Sequence, residues 1–426
     1  MTVERDSSVR AGAAAGASMT TAVLLVGALA AVYFISQFLR NSIGVIAPNL
    51  EAELGLGSES LGLLSSVFFF SFALAQIPIG ILIDRFGPRA VMLGSLTLAA
   101  LGSVVFSYAG GMGGLILARV LMGLGCSSFF MCPLTIFTRW FARDRFSTLV
   151  GIQLGLGSLG TLFATAPMAF SVGLVGWRDT FVIFAAIIVA IGFVAAAIIR
   201  DDPPGTPTPV VAPATLGSAI AGLRDVWVTP GVFRLLGMHF FSYSAFATIA
   251  GLWGGPYLTD VYGHDLQERG FYLLLMAAGQ VIGVLFWGPM DRWFGGPKKP
   301  AIVAALLTVA TLVGFAIAGR MPEWILGPAF AWFGFICAFT PLVTGHGRHL
   351  FPPELIGRGI TFLNIGTMGG VFLLQLFTGL VVAWITGEAG VRPLAAYSGV
   401  FLCVAGALFV AVVFYLRAPD ARMDSA

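Results

Sequence analysis

Gly80-Ile81-Leu82-Ile83-Asp84-Arg85-Phe86-Gly87-Pro88-Arg89 is a charged corner between two apolar runs, 59–83 and 90–110. Each run exceeds the 18 or so residues that read as a bilayer-crossing helix. The corner therefore joins the end of one span to the start of the next. Gly80 and Gly87 permit close backbone contact and a tight turn. Asp84 is an anion at a helix end, able to dock at a positive helix N-terminus, and Arg85 and Arg89 bias orientation in the bilayer. A degraded copy, Asp291-Arg292-Trp293, follows another apolar run 207 residues later. A second pair of corners repeats in the same way, Phe141-Ala142-Arg143-Asp144 and Phe351-Pro352-Pro353-Glu354.

The rest of the chain fits this frame. Of 426 residues, 58% are hydrophobic and 10% charged, against roughly 25% charged in a soluble domain. That supplies apolar residues for a dozen spans of about 20 each. It excludes a soluble enzyme, a nucleic-acid binder, a disulfide scaffold and a disordered chain. The runs fall near 20–47, 59–83, 90–110, 113–137, 147–174, 179–199, 232–259, 267–290, 300–318, 322–345, 358–385 and 393–416. The first is too long for a signal peptide and reads as a retained span. Asp201-Asp202-Pro203-Pro204-Gly205 opens a Pro-rich linker that cannot continue a helix. The expected fold class is an all-α membrane protein, twelve transmembrane helices in two pseudo-symmetric six-helix halves. Its parts are an N-terminal tail (1–19), a bundle (20–200), a linker (201–231), a bundle (232–417) and a C-terminal tail (418–426). A twofold repeat of this kind marks a carrier whose site lies between its halves. The cysteines Cys126, Cys132, Cys337 and Cys403 lie in apolar runs without metal spacing, so no metal or cofactor is expected.

Orientation follows from the basic residues. With the N-terminus cytoplasmic, 17 Lys and Arg fall on the inside and four, Arg178, Arg269, Arg320 and Arg392, on the outside. Both termini are then cytoplasmic. Arg40 and Arg119 alone remain within spans.

The corner at 80–89 matches the loop signature Gly-x3-Asp-Arg-x-Gly-x-Arg of the major facilitator superfamily, between the second and third spans where that family carries it. Arg119-x3-Gly123-x-Gly125 resembles a second superfamily signature, and Gly176-Trp177-Arg178 is typical before span six. On these motifs residues 20–417 resemble that superfamily. The resemblance implies a secondary active transporter working by alternating access, with no enzymatic activity. It also implies a monomer in the plasma (inner) membrane of a bacterium. Gly80, Asp84, Arg85, Gly87, Arg89, Asp291 and Arg292 would serve gating, with Asp84 docking near residues 355–359 of span eleven. Arg119, Gly123 and Gly125 would serve structure or coupling.

The candidate substrate site centres on Arg40. Tyr33, Gln37, Arg40, Asn41, Gly44 and Pro48 fall at steps of three or four, on one helical stripe facing protein or water. An ionisable residue at membrane depth is a functional hypothesis by default, and a guanidinium suits carboxylate or phosphate oxygens. The bland alternative is an arginine snorkelling from a helix end. Tyr243, Trp253 and Asn364 are further lining candidates. His239, Thr340, Thr367, Gln280 and Gln375 are weaker ones, since polar groups in spans also hydrogen-bond between helices. Arg119 lacks an acid partner and is expected to bond to carbonyls. The organic-phosphate antiporters carry an arginine eight residues before a proline in helix one, as Arg40 and Pro48 do here. Their second arginine maps to Ala247 and their histidine near Gly157, which implies one anion contact rather than a doubly charged phosphate site. The favoured expectation is proton-coupled uptake of a small organic anion, such as a carboxylate or sugar acid. The alternatives are a drug or metabolite efflux antiporter, uptake of another small solute, and a non-transporting membrane receptor. Efflux antiporters carry Gly-Pro-x2-Gly-Gly in span five, and that motif is absent here.

Overall fold

The computed structural model describes residues 19–142, 145–203, 217, 224–352, 355–387 and 392–420. Residues 1–18 of the expected N-terminal tail, most of the linker, the Arg143-Asp144 and Pro353-Glu354 corners and residues 421–426 lie outside it. The described residues are helical, with no strand among them. Eleven helices there are long and apolar enough to cross a membrane, and Phe146–Phe163 is a shorter apolar twelfth.

Span one is Met19–Asn41, continued as Ile43–Leu54. Span two is Ser58–Phe86 and span three Pro88–Tyr108. Span four is Met112–Cys126 plus Met131–Trp140. Span five is Phe146–Phe163 and runs on past a break at Thr165. The following helix, Ala166–Ile198, turns at Gly176 (φ 80°), where span five gives way to span six. Only a residue without a Cβ takes that φ easily. Span seven comprises Val232–Ser242, Ser244–Thr248, a π-helical turn Ile249–Trp253 and Gly254–Tyr262. Span eight is Leu266–Trp287, span nine Lys298–Ala318, and span ten Glu323–Ile336 plus Thr340–Leu350. Spans eleven and twelve are Ile356–Thr386 and Leu394–Tyr415.

Spans one, four, seven and ten open the four three-helix units, and each is interrupted near its middle. At such breaks the backbone forfeits regular hydrogen bonds, which is tolerated in a membrane only inside protein or beside a water-filled cavity. The breaks therefore face the centre. Call the face where span one begins and span twelve ends the terminal face, and the opposite one the far face.

The described contacts between the halves lie from mid-membrane to the far face. There, backbones meet through glycines. A Cβ on Gly44 (span one) would collide with the Ala250 carbonyl of span seven, and one on Gly255 with the Gly44 carbonyl. A Cβ on Gly62 (span two) would fall 2.9 Å from the Gln375 carbonyl oxygen and from Gly379 Cα of span eleven. Gly270 of span eight meets Ala166 and Ala169, in the continuation of span five, in the same way. Near mid-membrane, Phe70 and Phe372 pack with ring centroids 5.1 Å apart.

Candidate functional site

The Arg40 guanidinium is buried in protein, with 6% of the residue exposed. It lies 14 residues before the far-face end of its helix at Leu54, roughly 20 Å at 1.5 Å per residue, so it does not snorkel. Its Nη2 donates to Ser36 Oγ at 2.9 Å, and its Cζ sits 5.3 Å from the Phe72 ring centroid of span two. Arg40 Nε is buried without a partner. Tyr33 and Cys126 from the same half, and Tyr243 from the opposite half, are its titratable neighbours. Ser42, between the two helices of span one, keeps right-handed helical angles.

Asn41 Nδ2 donates to the Gln37 carbonyl at 2.8 Å and reaches Thr161 Oγ1 of span five at 3.4 Å. Its Oδ1 is buried and unpartnered, as are Gln37 Oε1 and Gln375 Oε1. Gln375 Nε2 donates to the Ala247 carbonyl at 2.9 Å. A Cβ placed on Gly251, in the π-helical turn, would lie 3.6 Å from Asn41 Oδ1 and 3.8 Å from Gln375 Nε2. Spans one, seven and eleven thus converge here on unsatisfied buried polar atoms. Such atoms are costly and demand an explanation, and π-helical turns recur at functional sites. The cluster offers one cation with an open donor, three open acceptors and two phenols. That set suits a small molecule with one anionic group and several hydroxyls.

Tyr33 packs tilted on Phe130 at 5.4 Å, and its ring fills the space beside Gly157. A side chain at 157 would collide with that ring. Trp253 is a correction to the lining set. It is 1% exposed, and its Nε1 donates to Thr378 Oγ1 at 2.9 Å, so the indole braces span seven against span eleven. Asn364 is partly exposed one turn nearer the terminal face than Thr367, apart from the Arg40 group.

Arg119 is fully buried. Its Nη1 donates to the Leu39 carbonyl at 2.8 Å and its Nε to the Leu64 carbonyl at 3.3 Å, with the guanidinium 4.6 Å from the Phe68 ring centroid. It ties span four to spans one and two through two carbonyls, with Nη2 buried and unpartnered, whereas Arg40 holds a single hydroxyl. Gly123 seats span four on Phe68 and Ser71 of span two, and Gly125 seats it on Ser95 and Ala99 of span three.

The terminal-face corner departs from expectation. Asp84 is exposed, and among the described residues no ion pair joins it to the second half. Nothing faces Gly80 within 4 Å of a built Cβ. The physical reason is the conformation: the halves meet on the far face, so the second half is not against this corner. Gly87 (φ 80°) and Arg89 instead engage Asp201 at the end of span six, with Arg89 N donating to Asp201 Oδ1 at 2.7 Å. Arg89 Nη2 also donates to the Ala196 carbonyl at 2.6 Å. Arg85 is exposed beside Phe86, at 5.1 Å from the ring centroid. Asp291 Oδ1 accepts from its neighbour Arg292 N at 2.8 Å.

The sequence reading missed the far-face lock. Arg392, before span twelve, donates from Nη2 to Glu51 Oε2 of the first half at 2.8 Å and from Nε to Asp260 Oδ2 at 2.6 Å. Tyr397 also donates to Asp260, and Arg269 Nη2 donates to Asn49 Oδ1 at 2.7 Å. A signal was available: Gly44 and Gly251 stand 207 residues apart, the repeat offset, and Glu51 and Asp260 follow each by seven and nine residues.

A family model described as Major Facilitator Superfamily matches residues 29–278. A probable L-galactonate transporter of Escherichia coli (strain K12) is 26% identical over 421 residues, covering 84% of this chain and 89% of that protein. A probable sulfoacetate transporter of Cupriavidus necator is 24% identical over 285 residues. That match covers 63% of this chain and 64% of that protein, slightly under two thirds of its length. Among solved structures, a D-xylose-proton symporter superposes with a TM-score of 0.75 at 12% identity, covering 96% of this chain and all of that one.

Proposed function

The chain belongs to the Major Facilitator Superfamily of membrane transporters, and from that premise we propose that it carries a small hydroxylated organic monoanion, of the sugar-acid type, together with a proton. The observation that carries this reading is Arg40: a guanidinium with a free Nε, beside Tyr243 of the other half and the open amide oxygens of Gln37, Asn41 and Gln375. A carboxylate accepts two parallel hydrogen bonds from such a fork, and hydroxyls answer the amide oxygens. Arg40, held by one hydroxyl where Arg119 is held by two carbonyls, is the cation better placed to meet one negative charge. The terminal face is cytoplasmic, and the conformation described is open to it. Transport proceeds as a monomer by alternation between this state and one closed over Asp84. A cation exporter fits less well, because every acid among the described residues lies in a loop or within about a turn of a helix end.

Galactonate is the probe of choice, and counterflow in proteoliposomes is the experiment. Labelled galactonate should accumulate transiently against an unlabelled internal pool, and Arg40→Ala should abolish this while remaining monodisperse. Undiminished counterflow by Arg40→Ala would remove the anion-site reading.

A further inference from the structure

With no acid at membrane depth among the described residues, the proton of the proposed symport needs another carrier, and within the spans the structure offers a buried base with an open lone pair; His264, the other such ring, lies in the far-face loop beside Glu268. His239, on span seven, is 3% exposed. Its Nδ1 lies 3.2 Å from Thr367 Oγ1 of span eleven. The Thr367 hydroxyl already donates its proton to the Leu363 carbonyl at 3.1 Å. A hydroxyl has one proton, so Thr367 accepts from His239, and Nδ1 carries the hydrogen. Nε2 is then an unprotonated acceptor, buried and without a hydrogen-bond partner. The Val343 carbonyl of span ten lies by the ring and stands ready for a proton on it.

The surroundings isolate this base. Span ten contributes His346, whose Nε2 donates to the Pro419 carbonyl at 2.9 Å, so that its Nδ1 accepts from the Tyr415 hydroxyl at 2.6 Å. His346 is thus fully committed as a neutral ring. Span eleven carries one charged residue, Arg358 at its start, and span twelve brings Tyr415 and Cys403. On span seven itself Arg234 lies toward the terminal face, bonded to the Arg417 carbonyl, and Tyr243 lies one turn toward the centre. None of these is an anion.

We propose that His239 is the proton-carrying residue of the cycle, loading Nε2 from water at the open terminal face and returning that proton to water after the halves exchange faces. This rests on the anion reading of the Arg40 site and extends it. A buried imidazolium needs a counter-charge, and no side chain around it supplies one. The bound monoanion does. His239 stands four residues from Tyr243, about 6 Å along the helix, and Tyr243 adjoins Arg40. Proton and anion therefore favour each other's binding, in a one-to-one ratio that carries no net charge. The Thr367 bond makes Thr367 a positioning residue, because it fixes which nitrogen is open.

The test uses the full chain in proteoliposomes with galactonate as probe and an internal pH dye. Wild type should acidify the lumen as galactonate enters, and a proton gradient should drive its accumulation. His239→Gln keeps a donor for Thr367 but cannot titrate. It should lose gradient-driven accumulation at least tenfold and keep counterflow, which needs no net proton movement. Thr367→Val should shift the pH profile of uptake rather than abolish counterflow. If His239→Gln retains gradient-driven accumulation, or loses counterflow as fully as accumulation, the proposal is overturned while the anion site stands. Wild-type protein that moves no galactonate in either assay overturns the anion reading, and this proposal with it.

Discussion

Replacing Arg392 by alanine should unlock the far face. The side chain is 9% exposed and bridges Glu51, 18% exposed, and Asp260, 22% exposed. Of its bonds, only the two-pronged pair to Glu51 crosses between halves. Each hydrogen bond involving a charged group contributes roughly 1.5–3 kcal/mol, and solvent at the rim lowers that, so the pair holds the far face closed by about 3 kcal/mol. Truncation also leaves Glu51 facing Asp260 without the intervening cation. A change of about 3 kcal/mol shifts the balance of closed and open far faces on the order of 100-fold. Spin labels at Tyr108 and Trp324, far-face positions 78% and 79% exposed in opposite halves, would report it by double electron–electron resonance. In the parent a single short distance should dominate, and in Arg392→Ala a longer population should become the major one. Arg269 to Asn49 remains, so the double variant with Arg269→Ala should open further. An unchanged distance distribution in both variants would refute the lock and leave the glycine contacts as the whole of the closure.

Four other outcomes are expected. Arg40→Lys should retain little galactonate counterflow, because a lysine offers a point charge without the planar fork; parental rates in purified protein would contradict this. Asp84→Asn should slow turnover at normal expression, since Asp84 acts only in the state closed over the terminal face, and unaltered turnover in proteoliposomes would exclude that role. Gly255→Leu should favour the far-face-open state, because its side chain would collide with the Gly44 carbonyl; greater labelling of far-face cysteines by an impermeant maleimide is the readout, and parental labelling would count against it. Asp201→Ala should release the Arg89 corner and lower thermal stability by about 1–2 kcal/mol, the scale of a hydrogen bond to a charged acceptor, as a melting shift would reveal.

Apolar length and the Asp84 and Asp291 corners gave the twelve helices and their twofold arrangement, because lipid forces each span to declare itself as a long uncharged run. Even the Gly176 turn coincided with a boundary legible at Trp177-Arg178. Arg40 and Asn41 were legible too, as ionisable and amide groups on one stripe of an otherwise apolar helix. Trp253 was misplaced because helical spacing gives the face of a residue only while the helix is regular. The π-helical turn at Ile249–Trp253 adds a residue to the register and rotates everything after it. The Glu51–Arg392 lock was hidden for another reason: its members are 341 residues apart, and each alone reads as an ordinary loop charge. Asp84 shows a third limit. It is exposed in the conformation described, so the docking expected of that corner on the second half has no counterpart among the described residues.

The glycine seams on the far face have a consequence for energy conservation. Where Gly44 meets Ala250 and Gly255, and Gly62 meets Gly379, main chain lies on main chain. A water molecule needs its own volume, and these seams leave none between the backbones. Protons cross barriers along files of hydrogen-bonded water, so a seam that admits no water is an electrical insulator. A carrier built this way can idle for long periods in an energised membrane without short-circuiting it. Larger side chains at these glycines would part the seam and cost the cell its gradient.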